Sequence, residues 1–175
     1  HFNEMEPRKR PTAILTAITY RNNPILQGCS PGVGPNEVTF AGQMSFAAGM
    51  WDNLRKAGIP GVKAVNCPES GCGGVTAVVS LDRHYYKGNA QQVMHHLFSL
   101  GHFPKIVIVV DDDIDVFDDF MVNWAINSRV QPHRDIMITG PNTWGCPLDP
   151  SIPMGQRTMP WTTSSRMGID ATKYF

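Results

Sequence analysis

The sequence predicts an α/β fold: a layered domain with a mixed β-sheet flanked by helices, followed by a long irregular C-terminal segment. Three observations predict it. Residues 105–110, KIVIVV, form the kind of nearly unbroken β-branched run that a strand buried on both faces requires. Runs of this type alternate along the chain with stretches whose apolar residues recur at helical spacing. A hydrophobic content of 42% over 175 residues is enough for one domain with a real core.

The elements follow in order. Pro11–Tyr20 (PTAILTAITY) is rich in β-branched residues and reads as a strand ended by the turn-forming RNNP. Glycine and proline in GCSPGVGPNE then enforce a loop. A helix begins near Glu37 or Val38; Phe40, Met44, Ala47, Trp51 and Leu54 fall on one face and Phe46 and Met50 on another, so it is expected to be buried on more than one side, with Gly58 ending it. VKAVNC and GVTAVVSL bracket PESGCGG and read as neighbouring strands. A helix from about Asn89 to Leu100 turns Ala90, Val93, Met94 and Leu97 inward. Its His95 and His96 point about 100° apart and cannot chelate one metal together. After KIVIVV come a helix over about Phe117–Arg129 and a strand, Arg134–Gly140. Pro141–Phe175 is dense in Pro, Gly, Ser and Thr and contains no convincing periodic segment. The chain thus divides into residues 1–10 as an entry linker, 11–140 as the α/β domain, and 141–175 as a loop-rich tail expected to pack on an active site or a partner.

Composition excludes several classes. Lys plus Arg number 15, as do Asp plus Glu, so no basic field collects nucleic acid. No apolar run approaches a membrane span. The start, HFNEMEPRKRP, has neither an initiator Met nor an apolar signal segment and reads as the interior of a longer, cytoplasmic protein. Cys29, Cys67, Cys72 and Cys146 match no zinc spacing and read as free thiols.

The acidic run VDDDIDVFDDF (110–120) admits two chemistries. Carboxylates at a strand end suit a divalent cation, as in metal-dependent glycosyl transferases. Alternatively Asp115, Asp118 or Asp119 caps the helix that follows, which is the favoured reading.

Taken together, AITYRNNPI, VVDDDIDVFD, NWAINSRVQPHRDI, CPLDPS and SSRMGIDATK resemble the carboxy-terminal domain of the UbiD family of decarboxylases, in the family's order and over nearly the whole chain. The resemblance implies reversible, non-oxidative decarboxylation of an aromatic or α,β-unsaturated acid with prenylated FMN, Mn2+ and K+. It places the catalytic residues and most cofactor ligands upstream, in a flavin-binding part that this chain would need as a partner. Glu4 and Glu6 sit near the position of the last catalytic glutamate, without the family's flanking glycines. By resemblance Thr39 and Gln43, then Cys146 and Leu148, face the substrate, and the Arg129 main chain lies near the potassium site. A flavin-approaching lysine of some members is replaced near Ser99. A homodimer or higher homo-oligomer is also implied, with a non-catalytic assembly domain as the alternative. Alone, the chain is expected to be inactive.

Overall fold

The protein is described by a computed structural model over residues 11–29, 35–101, 103–147, 149–157 and 162–173. Glu4, Glu6 and Leu148 lie outside these residues. The elements run α1 (Glu37–Lys56), β1 (Val62–Asn66), β2 (Thr76–Leu81), α2 (Asn89–Ser99), β3 (Ile106–Asp111), α3 (Asp119–Arg129), a single turn α4 (Pro132–Asp135), β4 (Ile136–Ile138), β5 (Thr143–Trp144), β6 (Thr163–Ser164) and β7 (Met167–Asp170). Five strands form a mixed sheet in the order β1-β2-β3-β7-β4. The inner strands β2, β3 and β7 are parallel and in step, Thr76 beside Ile106 and Ile106 beside Met167. The edges β1 and β4 run antiparallel to their neighbours.

Alternation along the strands sorts the core into two layers. Val79, Leu81, Val107 and Val109 pack with Leu54 of α1 and with Val93, Met94 and Leu97 of α2. Val78, Ile108 and Val110 point the other way, onto Val122 and Ala125 of α3. Such two-sided burial is why apolar residues occupy successive positions of the inner strands, as in Ala77–Val79 and Ile106–Val110, whereas alternation alone would cover one face.

Three expectations change. Residues 11–20 form no strand; Ile14, Leu15 and Ile18 are 87%, 79% and 73% exposed. β-branched residues favour strands because they pack on a sheet, and here no ladder partner accompanies them among the described residues. In α1 only Met50 and Leu54 are buried, while Phe40, Met44 and Trp51 are about half exposed. Helical periodicity marks an apolar face without showing that its cover belongs to the same chain. The segment after 140 is not all loop, because β7 lies within the sheet. Its Gly168 hides it in the sequence by interrupting the apolar pattern. A Cβ there would meet Met94 Sδ at 2.5 Å, so glycine is what lets α2 lie close against the strand.

Candidate functional site at the amino ends of the parallel strands

Polar chemistry collects at both ends of the parallel strands, on different terms. At their carboxy ends Asp111, the last residue of β3, accepts from the main-chain N–H of Lys173 at 2.6 Å, lies 3.0 Å from His84 Nε2, and is reached by Arg129 at 3.4 Å. Asp113 takes both arms of the Arg129 guanidinium, at 3.2 and 2.8 Å, and the Lys173 ammonium at 2.8 Å. Those arginine hydrogen bonds hold the Asp113 carboxyl down at about 2; partial burial opposes the shift and Lys173 adds to it. Asp112 pairs with Lys63 at 3.1 Å. Asp118 caps α3, accepting from the N–H groups of Phe120 and Met121, whereas Asp115 closes the preceding turn on Phe117 N. Of the expected caps, Asp118 does the capping.

The aspartates are therefore occupied by cations and main-chain donors. Among the described residues no three His, Cys, Asp or Glu side chains gather where a metal ion could bind. A cleft of about 900 Å³ does open at this end, lined by His84, Lys87, Asp111, Arg134, Asp170 and Lys173 among others, but its Asp111, Asp112, Arg134 and Lys173 are already engaged in ion pairs. The Arg129 side chain lies behind this cleft, against Asp111 and Asp113. It is only 10% exposed and lies 5.5 Å from the Trp124 ring, so its guanidinium is a structural counter-ion rather than a solvated charge.

The residues expected at a substrate pocket lie near the opposite, amino ends. Asn36 Oδ1 accepts from the N–H groups of Val38 and Thr39, while Thr39 Oγ1 accepts from Asn36 N and donates to Asn36 O. This reciprocal cap satisfies the start of α1 from within. The Asn36–Thr39 pair uses Val38 N and Thr39 N, and the Thr39 hydroxyl is committed as well, so these groups are not open to a ligand carboxylate. Thr39 is held in place from the other side by Gly73 (φ +69°), where a Cβ would stand 2.5 Å from Thr39 O.

One turn further along α1, Gln43 Nε2 donates to Asn66 Oδ1 at 3.2 Å, and Asn66 Nδ2 donates to Val116 O at 2.8 Å. Asn66 is 4% exposed, so it fixes the amide plane of Gln43. Gln43 Oε1 keeps no protein partner among the described residues. Gln43 lines a cleft of about 490 Å³ whose rim includes Phe117, Phe120, Glu69 and Asp118. Cys146 is buried on a separate loop and does not line that cleft. The structure thus places Thr39 and Gln43 one turn apart on α1 and leaves Cys146 on a separate loop away from that cleft. Sequence reasoning missed Asn66, whose signal was slight: a polar residue closing the short strand VKAVN.

The cysteines are all free thiols. Burial pushes Cys67 up to about 12, which makes it inert as a nucleophile.

Comparison with known proteins places this geometry. Residues 39–171 match the model of the 3-octaprenyl-4-hydroxybenzoate carboxy-lyase C-terminal domain. The chain belongs to the UbiD family. It is 34% identical over 162 residues to a phenolic acid decarboxylase of Sedimentibacter hydroxybenzoicus, covering 90% of this chain and 31% of that protein. The vanillic acid decarboxylase of the same organism, in open form, superposes with a TM-score of 0.74 at 34% identity over 89% of this chain and 32% of that one. The UbiD-class enzyme HmfF of Pelotomaculum thermopropionicum, in complex with FMN, gives 0.67 at 32% identity over 77% and 28%. This UbiD domain therefore spans about a third of the length of these relatives. No helix among its described residues is long and apolar enough to cross a membrane.

Proposed function

We propose that this UbiD domain forms the substrate-facing wall of a decarboxylase that removes CO2 reversibly from an aromatic or α,β-unsaturated acid. The observation that carries the reading is the Gln43–Asn66–Val116 chain, which presents one unpaired amide oxygen to a cleft rimmed by Phe117 and Phe120. An oriented acceptor beside aromatic rings suits a ring hydroxyl. Glu69, Asp118 and Asp119 on the same rim would repel a carboxylate. The acid is then bound with its hydroxylated end toward Gln43 and its carboxylate turned away, toward the rest of the enzyme. Cys146 offers a small side chain on the second wall, with Leu148 beside it in sequence.

Prenylated FMN, when bound, supplies the electrophile on which decarboxylation depends. The described residues do not fit Mn2+, since the acids that would attract it are paired with Arg129, Lys173 and Lys63. Cofactor and metal are assigned to the flavin-binding part of the complete protein. At Arg129 only the main-chain oxygen suits K+, because the guanidinium would repel it. The half-exposed Phe40, Met44 and Trp51 on α1 support packing against that flavin-binding part, within a homodimer or higher homo-oligomer.

The test uses the full-length protein carrying this chain, loaded with prenylated FMN, on paired hydroxylated and unsubstituted aromatic acids. Gln43→Leu is expected to lower kcat/KM for the hydroxylated acid by about tenfold or more and to spare the unsubstituted one. An unchanged ratio removes Gln43 from the pocket. Absence of decarboxylation by the wild type on any acid of the panel defeats the reading as a whole.

A further inference from the structure

Two cations at the amino ends of the parallel strands reach the two ends of the same irregular loop, Arg166 at Trp144 and Lys105 at Asp149 and Ser151. Arg166, 3% exposed and just ahead of β7, has no carboxylate partner among the described residues. Its guanidinium donates instead to main-chain carbonyls: Phe98 and Trp144 at 2.7 Å, Pro104 at 3.3 Å, and Gly101. Its own main chain is tied to Thr139, whose hydroxyl accepts from Arg166 N at 2.8 Å and whose N–H donates to Arg166 O at 2.9 Å. Lys105, just ahead of β3, is rooted in the same way: its N–H donates to Val75 O and its carbonyl accepts from Met167 N. The Lys105 ammonium meets Asp149 Oδ2 at 2.7 Å and Ser151 Oγ at 2.8 Å. Burial opposes the charge on Asp149, but Lys105 and Ser151 outweigh it and lower the pKa of that carboxyl.

Between Trp144 and Asp149 lies the stretch that carries Cys146 and Leu148. Its described residues form no helix or sheet strand; Gly145 N donates to Thr162 O and Asp149 N to Cys146 O. A loop outside helix and sheet takes its position in large part from the residues that anchor its ends. We propose that Arg166 and Lys105 are positioning residues, a two-point clamp that fixes the Cys146 loop from the sheet and thereby sets which acids the second wall admits. Neither touches substrate. The specificity half of this proposal rests on the function proposed above; the clamp itself does not.

Asp149→Asn in the full-length protein tests the clamp, since the amide keeps the shape and the Ser151 contacts while losing the ion pair. Arg166→Lys is the second variant, keeping the charge but losing the fork that serves several carbonyls. The first readout is alkylation by iodoacetamide, resolved by mass spectrometry for each cysteine. Cys146 is expected to react about tenfold faster in Asp149→Asn, with buried Cys67 unchanged as the internal control. A Cys146 rate equal to wild type overturns the clamp, and so does a rise shared by Cys67, which would mean general unfolding. The second readout is the KM-against-kcat split on a bulky and a small aromatic acid. The clamp predicts a change in their kcat/KM ratio of about tenfold, carried by KM, that disappears when Cys146→Phe already fills the wall. A constant ratio with faster Cys146 alkylation overturns the specificity half alone, and a wild type inactive on every acid overturns the proposed function while leaving the alkylation result to decide the clamp.

Discussion

At the carboxy ends of β3 and β7, Asp111, Asp112 and Asp113 each meet a cation, and a wide cleft is walled by interactions already made. Near the amino ends a smaller cleft holds a single amide oxygen that is oriented by Asn66 and still unpaired. The contrast teaches that density of charge and availability of charge are different quantities. Open α/β sheets usually bind ligands at the carboxy ends of their strands. In this UbiD domain Gln43, proposed to face the substrate, lies near the other end, and the carboxylate-rich end holds β3, α3 and the residues after β7 to one another.

If that division is right, substitutions should separate into those that move stability and those that move selectivity. The largest effect is expected from Arg129→Ala, which strips the guanidinium from buried Asp111 and from Asp113. Loss of about 3 kcal/mol follows, read by urea denaturation, or roughly 10 °C in Tm, with the ratio of activities on hydroxylated and unsubstituted acids unmoved. A shifted ratio with little loss of stability would bring the charged end into the active site. Next is Asn66→Ala, which leaves Val116 O unpaired in a buried setting and frees Gln43 to rotate. It should cost about 2 kcal/mol and, unlike Arg129→Ala, change the ratio as well.

Smaller effects sharpen the reading of the acids. Asp118→Ala removes the α3 cap and is expected to cost about 1 kcal/mol, with Asp115→Ala at about half of that because only a turn is lost. Equal losses in denaturation curves would contradict the assignment of the cap to Asp118. Asp113→Asn is expected at about 0.5–1 kcal/mol, since the side chain is 38% exposed and solvent screens the pair. Its dependence on pH is the sharper test. Because the folded carboxyl sits at about 2, below its ordinary value, the ion pair contributes fully above about pH 4 and is lost as pH falls toward 2. Wild type and variant should therefore differ in urea midpoint at pH 6 and converge by about pH 2. A gap that persists there would mean that Asp113 acts through shape instead of charge.

Much of the fold was legible because burial on both faces leaves a mark that survives without neighbours. KIVIVV and TAVVSL read as strands, and Val93, Met94 and Leu97 read as an inner helix face, because every such residue is paid for by contacts within the domain. Legibility failed where the partner was missing or the pattern was cut. Ile14, Leu15 and Ile18 have strand chemistry but no ladder, and Gly168 breaks the apolar pattern of β7 in order to admit Met94. At the candidate site the positions of Thr39, Gln43 and Cys146 came from resemblance, and what could not be read was their state. A threonine that caps its own helix and a glutamine held by an asparagine 23 positions away are facts of the folded molecule. Arg166 and Lys105 were equally silent, since nothing in a sequence distinguishes a buried arginine serving carbonyls from one in water.

The sheet order also has a consequence for how this chain is made. In the sequence β4 precedes β7 by about 30 residues, yet in the sheet β4 pairs with β7 alone. A nascent chain emerging from the ribosome can assemble β1, β2 and β3 with α1 and α2 while synthesis continues, because those contacts are sequential. The strand Ile136–Ile138 must wait beside them, its edge unsatisfied, until Met167–Asp170 arrives to stand between it and β3. Closure of the sheet is thus postponed to the delivery of one short segment, and a ribosome stalled before it would leave β4 exposed to pairing with other chains.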